Sequence, residues 1–155
     1  MDRTAAATIR RARPSDGPAV RRFVFETLEE HGIVPDPDGH DKDVMTFGQD
    51  PEPVDAFVAD VAGTAVGSIM IAPRDSRTGW LSKFFVDGKH RGCGIGRALL
   101  EHAVSAARAR GYRRLELDTR TFFREAIHLY ESTGWKRDAT TPAGPCDALY
   151  ALDLE

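Results

Sequence analysis

The segment that decides the fold is residues 80–100, WLSKFFVDGKHRGCGIGRALL. Its first seven residues are mostly aromatic and aliphatic and predict a strand. From Arg97 to Arg110 the apolar side chains recur at helical spacing, so a glycine-rich turn at 91–96 joins a strand to a helix. The first turn of a helix has unpaired N–H groups and the positive end of the helix dipole, and glycine lets a ligand approach the backbone. This arrangement predicts a binding site for a phosphate group.

Two common phosphate loops do not fit the spacing of this turn. A P-loop needs Gly-Lys followed by Ser or Thr, and Arg97 and Ala98 do not supply it. A dinucleotide-binding Rossmann turn needs a further glycine three residues after its second glycine. Depending on where the count begins, that position is Arg97 or Leu99. The turn therefore belongs to a different kind of phosphate site.

Length and composition limit the class of protein. The chain has 155 residues, about one domain, and its 41% hydrophobic and 29% charged residues are typical of a globular protein. No apolar stretch is long enough to span a bilayer, and residues 1–7 lack the apolar core of a secretory signal. Two cysteines, Cys93 and Cys146, do not make a disulfide framework. We therefore expect a soluble cytoplasmic protein.

The charge distribution favours a small ligand over a nucleic acid. The net charge of -3 lacks the excess of basic residues that nucleic-acid binding requires. Residues 91–137, however, contain ten Lys or Arg and five Asp or Glu. This basic segment fits a polyanionic small ligand, and it fits solvated helix faces equally well.

The rest of the chain predicts a single α/β domain without repeats or linkers. Residues 55–59 and 65–71 alternate around Ala62-Gly63-Thr64 as a β-hairpin. Further strands are predicted at 8–12, 80–86, 114–119 and 148–154, and helices at about 15–31, 43–47, 97–110 and 124–133.

Two motifs in this order resemble those of the GNAT N-acetyltransferase superfamily. Its acetyl-CoA-binding motif is Arg/Gln-x-x-Gly-x-Gly/Ala, and Arg91, Gly94 and Gly96 fill the fixed positions. Residues 126–135, AIHLYESTGW, are similar to its second signature. The resemblance covers about residues 8–154 of a single domain, 1–155. It implies an α/β fold (α+β in some schemes), with a mixed, mostly antiparallel sheet of six to seven strands and about four helices. It also implies that the sheet splays between the strands ending at Val86 and Thr119.

The resemblance implies acetyl-CoA as cosubstrate and no metal. The main-chain N–H groups of residues 92–97 would hold the pyrophosphate, with charge added by Arg91 and Arg97. Pantetheine would lie between the splayed strands, where the Val86 N–H would stabilise the oxyanion of a tetrahedral intermediate. The implied cofactor-binding residues are Phe84, Phe85, Val86, Arg91, Gly92, Cys93, Gly94, Ile95, Gly96, Arg97 and Tyr130.

The same resemblance makes Tyr130 the general acid that protonates the leaving thiolate. Two departures from the family pattern put catalysis in doubt. Phe123 stands where many members have an Asn that contacts the cofactor, and Trp80 stands where many have a Glu that acts as base through water. The base is therefore unassigned. Asp118 is the first candidate, and the other candidate carboxylates are Glu116, Glu26, Glu29 and Glu30.

The expected reaction is direct transfer of an acetyl group to a primary amine of a small molecule or of a protein or peptide. A non-catalytic acyl-CoA-binding module is the alternative, and transfer of a longer acyl group stays open. The acidic residues of the 36–43 segment fail the spacing of a calcium loop, and with Glu29 and Glu30 they favour a cationic acceptor. We expect no nucleic-acid or membrane partner. Homodimers are common in the superfamily, although no residue here requires one.

Overall fold

The computed structural model of the protein describes residues 7–140, 142 and 144–155. The strands are β1 (Thr8–Arg11), β2 (Asp55–Val61), β3 (Thr64–Pro73), β4 (Thr78–Val86), β5 (Arg114–Thr119), β6 (Lys136–Asp138) and β7 (Ala148–Asp153). The helices are α1 (Gly17–Glu30), α2 (Lys42–Met45), α3 (Ile95–Arg110) and α4 (Arg124–Ser132), and 3₁₀ turns lie at Pro14–Asp16 and Gly88–His90.

The strands form one mixed sheet in the order β1-β2-β3-β4-β5-β7-β6. All neighbouring strands are antiparallel except β4 and β5, which run parallel. Those two pair only where Thr78–Trp80 faces Arg114–Glu116. Beyond that point β4 stays paired with β3 and β5 with β7, so the sheet opens between them. The predicted fold class and the splay between Val86 and Thr119 are confirmed.

Helices cover both faces of the sheet, and each face has its own apolar core. On one face α3 packs Leu99, Leu100 and Ala103 mainly against β3, in a core that includes Ile69 and Ile71. On the other face α1 packs against β3 and β4, and its Phe23 and Val24 share a core with Val44 of α2 and with Phe47, which follows α2. Because side chains alternate along a strand, neighbouring residues of β4 and β5 face opposite cores.

A β-bulge lies in β4 at the start of the half that pairs with β3 but no longer with β5. The register between β3 and β4 shifts so that Ser68 faces Phe85 while Met70 faces Ser82. Lys83 lies within the bulge with φ +51°, a conformation uncommon for a residue other than glycine. The hydroxyl of Ser68 donates a hydrogen bond of 2.7 Å to the Lys83 carbonyl. Since bulges bend and twist a strand, this one helps to turn β4 away from β5.

The short strand β6 was not identified from its sequence, although the predicted count of six to seven strands allows for it. Two of its three residues, Lys136 and Arg137, are exposed, so it has no apolar periodicity. Its pairing with the edge of β7 defines it as a strand.

Candidate active site

The opening between β4 and β5 forms a cavity of about 1170 Å³ that crosses the sheet. The part that we call the α3 side is formed by the turn at 91–97, Phe84, Val86 and Tyr130. The part that we call the α1 side is formed by the end of α1, the 36–43 segment, Lys83, Phe85, Asp118 and Phe123.

The glycine-rich turn presents the open N-terminus of α3 to the cavity. Gly94 is the N-cap residue with φ +81°, and no side chain caps the helix there. A Cβ at Gly94 would meet nothing within 4 Å, so the backbone conformation rather than crowding favours glycine. At this terminus the first backbone bond joins Ala98 N–H to the Gly94 carbonyl. Preceding N–H groups, those of residues 95–97, are therefore available to an anionic group.

Gly96 brings the turn close to the free end of β4. A Cβ placed on Gly96 would lie 3.5 Å from Phe84, 3.6 Å from Leu129 and 3.8 Å from Val86. Those are ordinary van der Waals distances, so alanine would fit at this position, as the motif allows. The turn, β4 and α4 thus meet around one end of the cavity.

The two arginines of the turn are placed differently. Arg97 is exposed on the first turn of α3, and no hydrogen bond or ion pair joins its side chain to any residue that the structure describes. The Arg91 guanidinium instead donates to the Val86 carbonyl at 3.2 Å, to the Thr27 hydroxyl at 2.9 Å and to Glu30 at 3.2 Å. The side chain of Arg91 is thus bonded to α1 and to β4, although it also lines the cavity.

Cys93 is exposed in the same turn, and its thiol lies 3.7 Å from the Arg91 carbonyl. No histidine contact accompanies it among the described residues. The backbone of this residue belongs to the turn, and its sulfur has no assigned role.

The free end of β4 sends its aromatic residues to opposite sides. Phe84 and Val86 pack against the core under α3, whereas Phe85 packs against the core under α1. The Val86 carbonyl accepts a hydrogen bond from Arg91. The N–H of the next residue, Asp87, donates to the Val66 carbonyl at 2.8 Å.

Tyr130 reaches the cavity from α4 and is only 4% exposed. Its ring lies 5.6 Å from Trp135, 5.8 Å from Tyr150 and 6.0 Å from Phe84. No hydrogen bond of its hydroxyl is found within the described part of the chain. Burial among these rings raises the pKa of Tyr130 well above its usual range, so the phenol stays protonated at neutral pH.

Phe123 and Trp80 occupy the positions at which the sequence departs from the family pattern. The Phe123 ring faces the α1 side, 4.9 Å from His31, 4.8 Å from Phe122 and 6.1 Å from Phe85. It is also the N-cap residue of α4, where its side chain makes no capping bond. Trp80 lines the cavity at the last pair between β4 and β5, and Arg74 lies over its ring at 5.1 Å.

Asp118 lies on the α1 side at the free end of β5, because its neighbours Leu117 and Thr119 are buried on the opposite face. Cys146 contacts it, and burial, together with the nearby Asp118 carboxylate, raises the pKa of that thiol to about 11. The other candidate carboxylates are less available. Glu116 pairs with Arg74 and Arg114, Glu26 with Arg22, and Glu30 with Arg91, while Glu29 is exposed on α1.

The structure adds residues that the sequence did not single out. Lys83 is only 9% exposed, and its ammonium lies 3.2 Å from Asp43, 3.8 Å from Asp41 and 3.4 Å from the His40 carbonyl. Two acidic residues of the 36–43 segment therefore share the charge of one lysine of β4, which weakens the expectation that this segment attracts a cationic acceptor. His31 stacks on Phe122 at 5.0 Å and completes an aromatic wall. No sequence signal marks these contacts, because each joins segments far apart in the chain.

Two absences can be stated for the part of the chain that the structure describes. It holds no group of three or more His, Cys, Asp or Glu placed to bind a metal ion. None of its helices is both long enough and apolar enough to cross a membrane.

Comparisons with known proteins identify the family. The profile of the Acetyltransferase (GNAT) family matches residues 21–135. The chain is 32% identical over 139 residues to YjgM of Escherichia coli (strain K12), described as an uncharacterized N-acetyltransferase; the match covers 83% of this chain and 81% of the relative.

A GNAT-family acetyltransferase of Staphylococcus aureus Mu50 shares the fold, with a TM-score of 0.84 and 18% identity over 97% of this chain and 100% of that one. So does yncA of Salmonella typhimurium, solved with its cofactor acetyl-CoA, with a TM-score of 0.75 and 22% identity over 96% of this chain and 94% of that one. The resemblance noted in the sequence is thus confirmed: the chain belongs to the GNAT family and is an acetyltransferase enzyme.

Proposed function

We propose that the protein transfers an acetyl group from acetyl-CoA directly to a primary amine, in a ternary complex held by a single domain, 1–155 with its core at about 8–154. The observation that carries this proposal is the cavity between β4 and β5, which has an uncapped helix N-terminus on one side of the sheet and continues through the opening to the other side. A donor and an acceptor can therefore approach one reacting centre from opposite faces.

Acetyl-CoA fits the α3 side. Its pyrophosphate would bind the N–H groups at the start of α3, where the helix dipole adds favourable charge, and the exposed Arg97 would add to it. Its pantetheine arm would pass along Phe84, Val86 and Gly96, whose surfaces are apolar and close together. The neighbour yncA, which was solved with acetyl-CoA, has the same fold and supports this placement.

The chemical step would rely on the end of β4 and on Tyr130. As the amine attacks the thioester carbon, the carbonyl oxygen becomes an oxyanion that the Val86 N–H would stabilise. Collapse of this intermediate breaks the C–S bond, and Tyr130 would act as general acid towards the leaving thiolate. A thiol has a pKa of about 8.5, below that of tyrosine. Because burial raises the pKa of Tyr130 further, the phenol would first donate a hydrogen bond to the leaving thiolate and then transfer its proton to the sulfur. The proton that the amine loses would replace the one given up by Tyr130, so that no net proton is gained or lost.

The amine must be neutral to attack. For a lysine-like amine with a pKa of about 10.4, removing the proton at pH 7 costs roughly 4–5 kcal/mol. Asp118 is the candidate for this base, since it lies on the α1 side and is not held in an ion pair within the described part of the chain. A small-molecule amine and a protein or peptide amine both remain candidates for the acceptor, as does a longer acyl group for the donor. We expect the enzyme to act in the cytoplasm and to have neither a nucleic acid nor a membrane as partner. A homodimer is compatible with this function, which does not require one.

A non-catalytic acyl-CoA-binding module of the same fold is the alternative. Trp80 and Phe123 favour it, because an indole and a phenyl ring occupy the positions of a catalytic carboxylate and a cofactor-binding amide. Such a module would bind acetyl-CoA without consuming it. Turnover is therefore the measurement that separates the two functions.

The test of the cofactor site is calorimetric titration with acetyl-CoA and desulfo-CoA. We expect micromolar binding that Gly94→Glu abolishes, because a carboxylate would then occupy the place of the phosphate. Gly63→Glu is the matched control, since Gly63 also has a positive φ of +88° and open space but lies in the β2–β3 hairpin away from the cavity. No binding at millimolar acetyl-CoA would contradict the proposal. A mass increase of one acetyl group across an amine and peptide library would then identify the acceptor class.

A further inference from the structure

The contacts of Arg91 give this residue a different task from the one that its place in the glycine turn implies. A cation beside a phosphate-binding turn is expected to attract the phosphates directly. Arg91 instead makes its hydrogen bonds to one carbonyl of β4 and two side chains of α1. Its charge is already paired with Glu30.

The carbonyl that Arg91 holds belongs to Val86. The peptide unit that follows Val86 is fixed at both ends, because its oxygen accepts from Arg91 Nε at 3.2 Å and its N–H donates to the Val66 carbonyl at 2.8 Å. Val86 is the residue whose own N–H would face the thioester. The plane of the next peptide and the direction of that N–H are linked through the two dihedral angles of Val86 alone.

The other end of the Arg91 side chain is anchored in α1. The Thr27 hydroxyl accepts from Arg91 at 2.9 Å and donates to the Phe23 carbonyl at 2.8 Å, so it is oriented before Arg91 binds it. Thr27 is buried and lines the cavity. A second tie joins the same two elements, because Arg22 of α1 pairs at 2.8 Å with buried Asp87, which follows Val86.

We propose that Arg91 is a positioning residue: it fixes the end of β4 against α1, so that the Val86 N–H is directed at the thioester, and contributes little to phosphate binding. The role rests on the proposed function. A planar guanidinium suits it, since three donors in a fixed fork can reach Val86, Thr27 and Glu30 together, whereas a lysine ammonium offers a single point of attachment.

Kinetics and binding of matched variants test this role. In Arg91→Met we expect kcat to fall about tenfold or more, because small displacements of catalytic groups are costly, while the Kd for desulfo-CoA changes less than about twofold. Arg91→Lys keeps the charge and should recover little of kcat. Arg97→Met removes the same charge from the same turn and should raise the Kd for desulfo-CoA about fivefold, with a weaker dependence on salt. If Arg91→Met weakens binding as Arg97→Met does, or if Arg91→Lys restores both quantities, Arg91 serves the phosphates and the proposal is overturned.

Two further measurements separate positioning from a general loss of structure. Thr27→Val removes the anchor in α1 without changing charge, and it should lower kcat on its own. In the double variant with Arg91→Met, the loss of kcat should be smaller than the product of the two single losses, because both changes break the same contact. In the ligand-free protein, the carbonyl ¹³C resonance of Val86 should shift in Arg91→Met and stay unchanged in Arg97→Met. An unmoved Val86 resonance or full additivity would overturn the proposal. Wild-type protein that binds no acetyl-CoA would instead mark the failure of the proposed function itself.

Discussion

The α3 side and the α1 side of the cavity are built on different principles. The α3 side depends on the backbone of one short segment, in which a strand, a glycine turn and a helix follow one another between Phe84 and Arg97. The α1 side depends on side chains from four separate segments, which meet as an aromatic wall of His31, Phe122 and Phe123 and as the Lys83 ion pairs. A phosphate site needs only local geometry, whereas a pocket for a particular acceptor needs side chains from distant parts of the chain. We therefore expect substitutions on the two sides to change different kinetic constants.

The largest effect is expected from Tyr130→Phe. Loss of a general acid costs about 100-fold in kcat, whereas the affinity for acetyl-CoA should stay nearly constant because the ring is retained. Tyr112→Phe is the control, since Tyr112 is a buried tyrosine of the same core that does not line the cavity. Unchanged turnover in Tyr130→Phe would remove this residue from the mechanism.

Tyr130 also predicts the alkaline side of the pH profile. Burial raises its pKa, so the protonated form persists to higher pH than in an ordinary tyrosine. Tyr130 should therefore cause no fall of kcat below a pH of about 10. A fall of kcat with pH between 8 and 10 that disappears in Tyr130→Phe would show that the pKa is not raised in the working enzyme, in contradiction to this account.

A smaller effect is expected from Asp118→Asn on the α1 side. If this carboxylate accepts the proton of the amine, kcat/KM for the acceptor should fall about tenfold at pH 7 and partly recover at higher pH, where more of the amine is neutral. Glu116→Gln provides the control on the same face of β5, because Glu116 is committed to Arg74 and Arg114. Equal effects of the two variants would assign Asp118 a structural role only.

Lys83→Met tests whether the α1 side acts independently of the α3 side. The ammonium holds Asp41, Asp43 and the His40 carbonyl, so its loss releases one wall of the pocket. We expect KM for the acceptor to rise about fivefold while the Kd for acetyl-CoA is unchanged. Lys42→Met is the matched control, because Lys42 is an exposed lysine of the neighbouring helix α2 that does not line the cavity. A comparable change in acetyl-CoA affinity would show that the two sides are coupled.

The smallest effect on the reaction is expected from Asp16→Asn, far from both sides. Asp16 is buried, accepts two hydrogen bonds from Arg10 at 2.8 and 2.9 Å, and accepts another from the Arg13 N–H. Losing this carboxylate should cost about 2 kcal/mol of the free energy of unfolding at pH 7, while kcat and KM stay constant.

The acid dependence of this difference follows from the direction of the pKa shift. The hydrogen bonds from Arg10 lower the pKa of Asp16 in the folded protein below its unfolded value of about 3.9. The stabilisation is therefore complete above the unfolded pKa and is lost as the pH falls through the folded one. Thermal melts of wild type and Asp16→Asn should converge on acidification below about pH 4. A constant difference in Tm across this range would contradict the ion-pair account.

The sequence predicted much of the fold because most elements carry their own local signals. Periodic apolar residues marked α1 and α3, and alternation marked β5 and β7. Gly111 marked the end of α3, whereas its start, predicted at Arg97, lies at Ile95. The parts that sequence analysis missed have no such periodicity. The strand β6 exists because β7 offers it a free edge, and the bulge at Lys83 exists because β3 and β4 pair out of register.

The sequence by itself determined the family and the segment that presents backbone N–H groups, since both depend on residues adjacent in the chain. Only the tertiary structure decided that Arg91 bonds to α1 and Val86, that Phe123 faces the α1 side, and that Lys83 pairs with Asp41 and Asp43. Apart from the Arg91–Val86 bond, which spans five positions, these contacts join residues tens of positions apart, and the direction of a long side chain follows from the packing of the helices and strands around it. Local backbone conformation can be inferred from neighbouring residues, whereas the partner of a charged or aromatic side chain is settled when the sheet and its helices assemble.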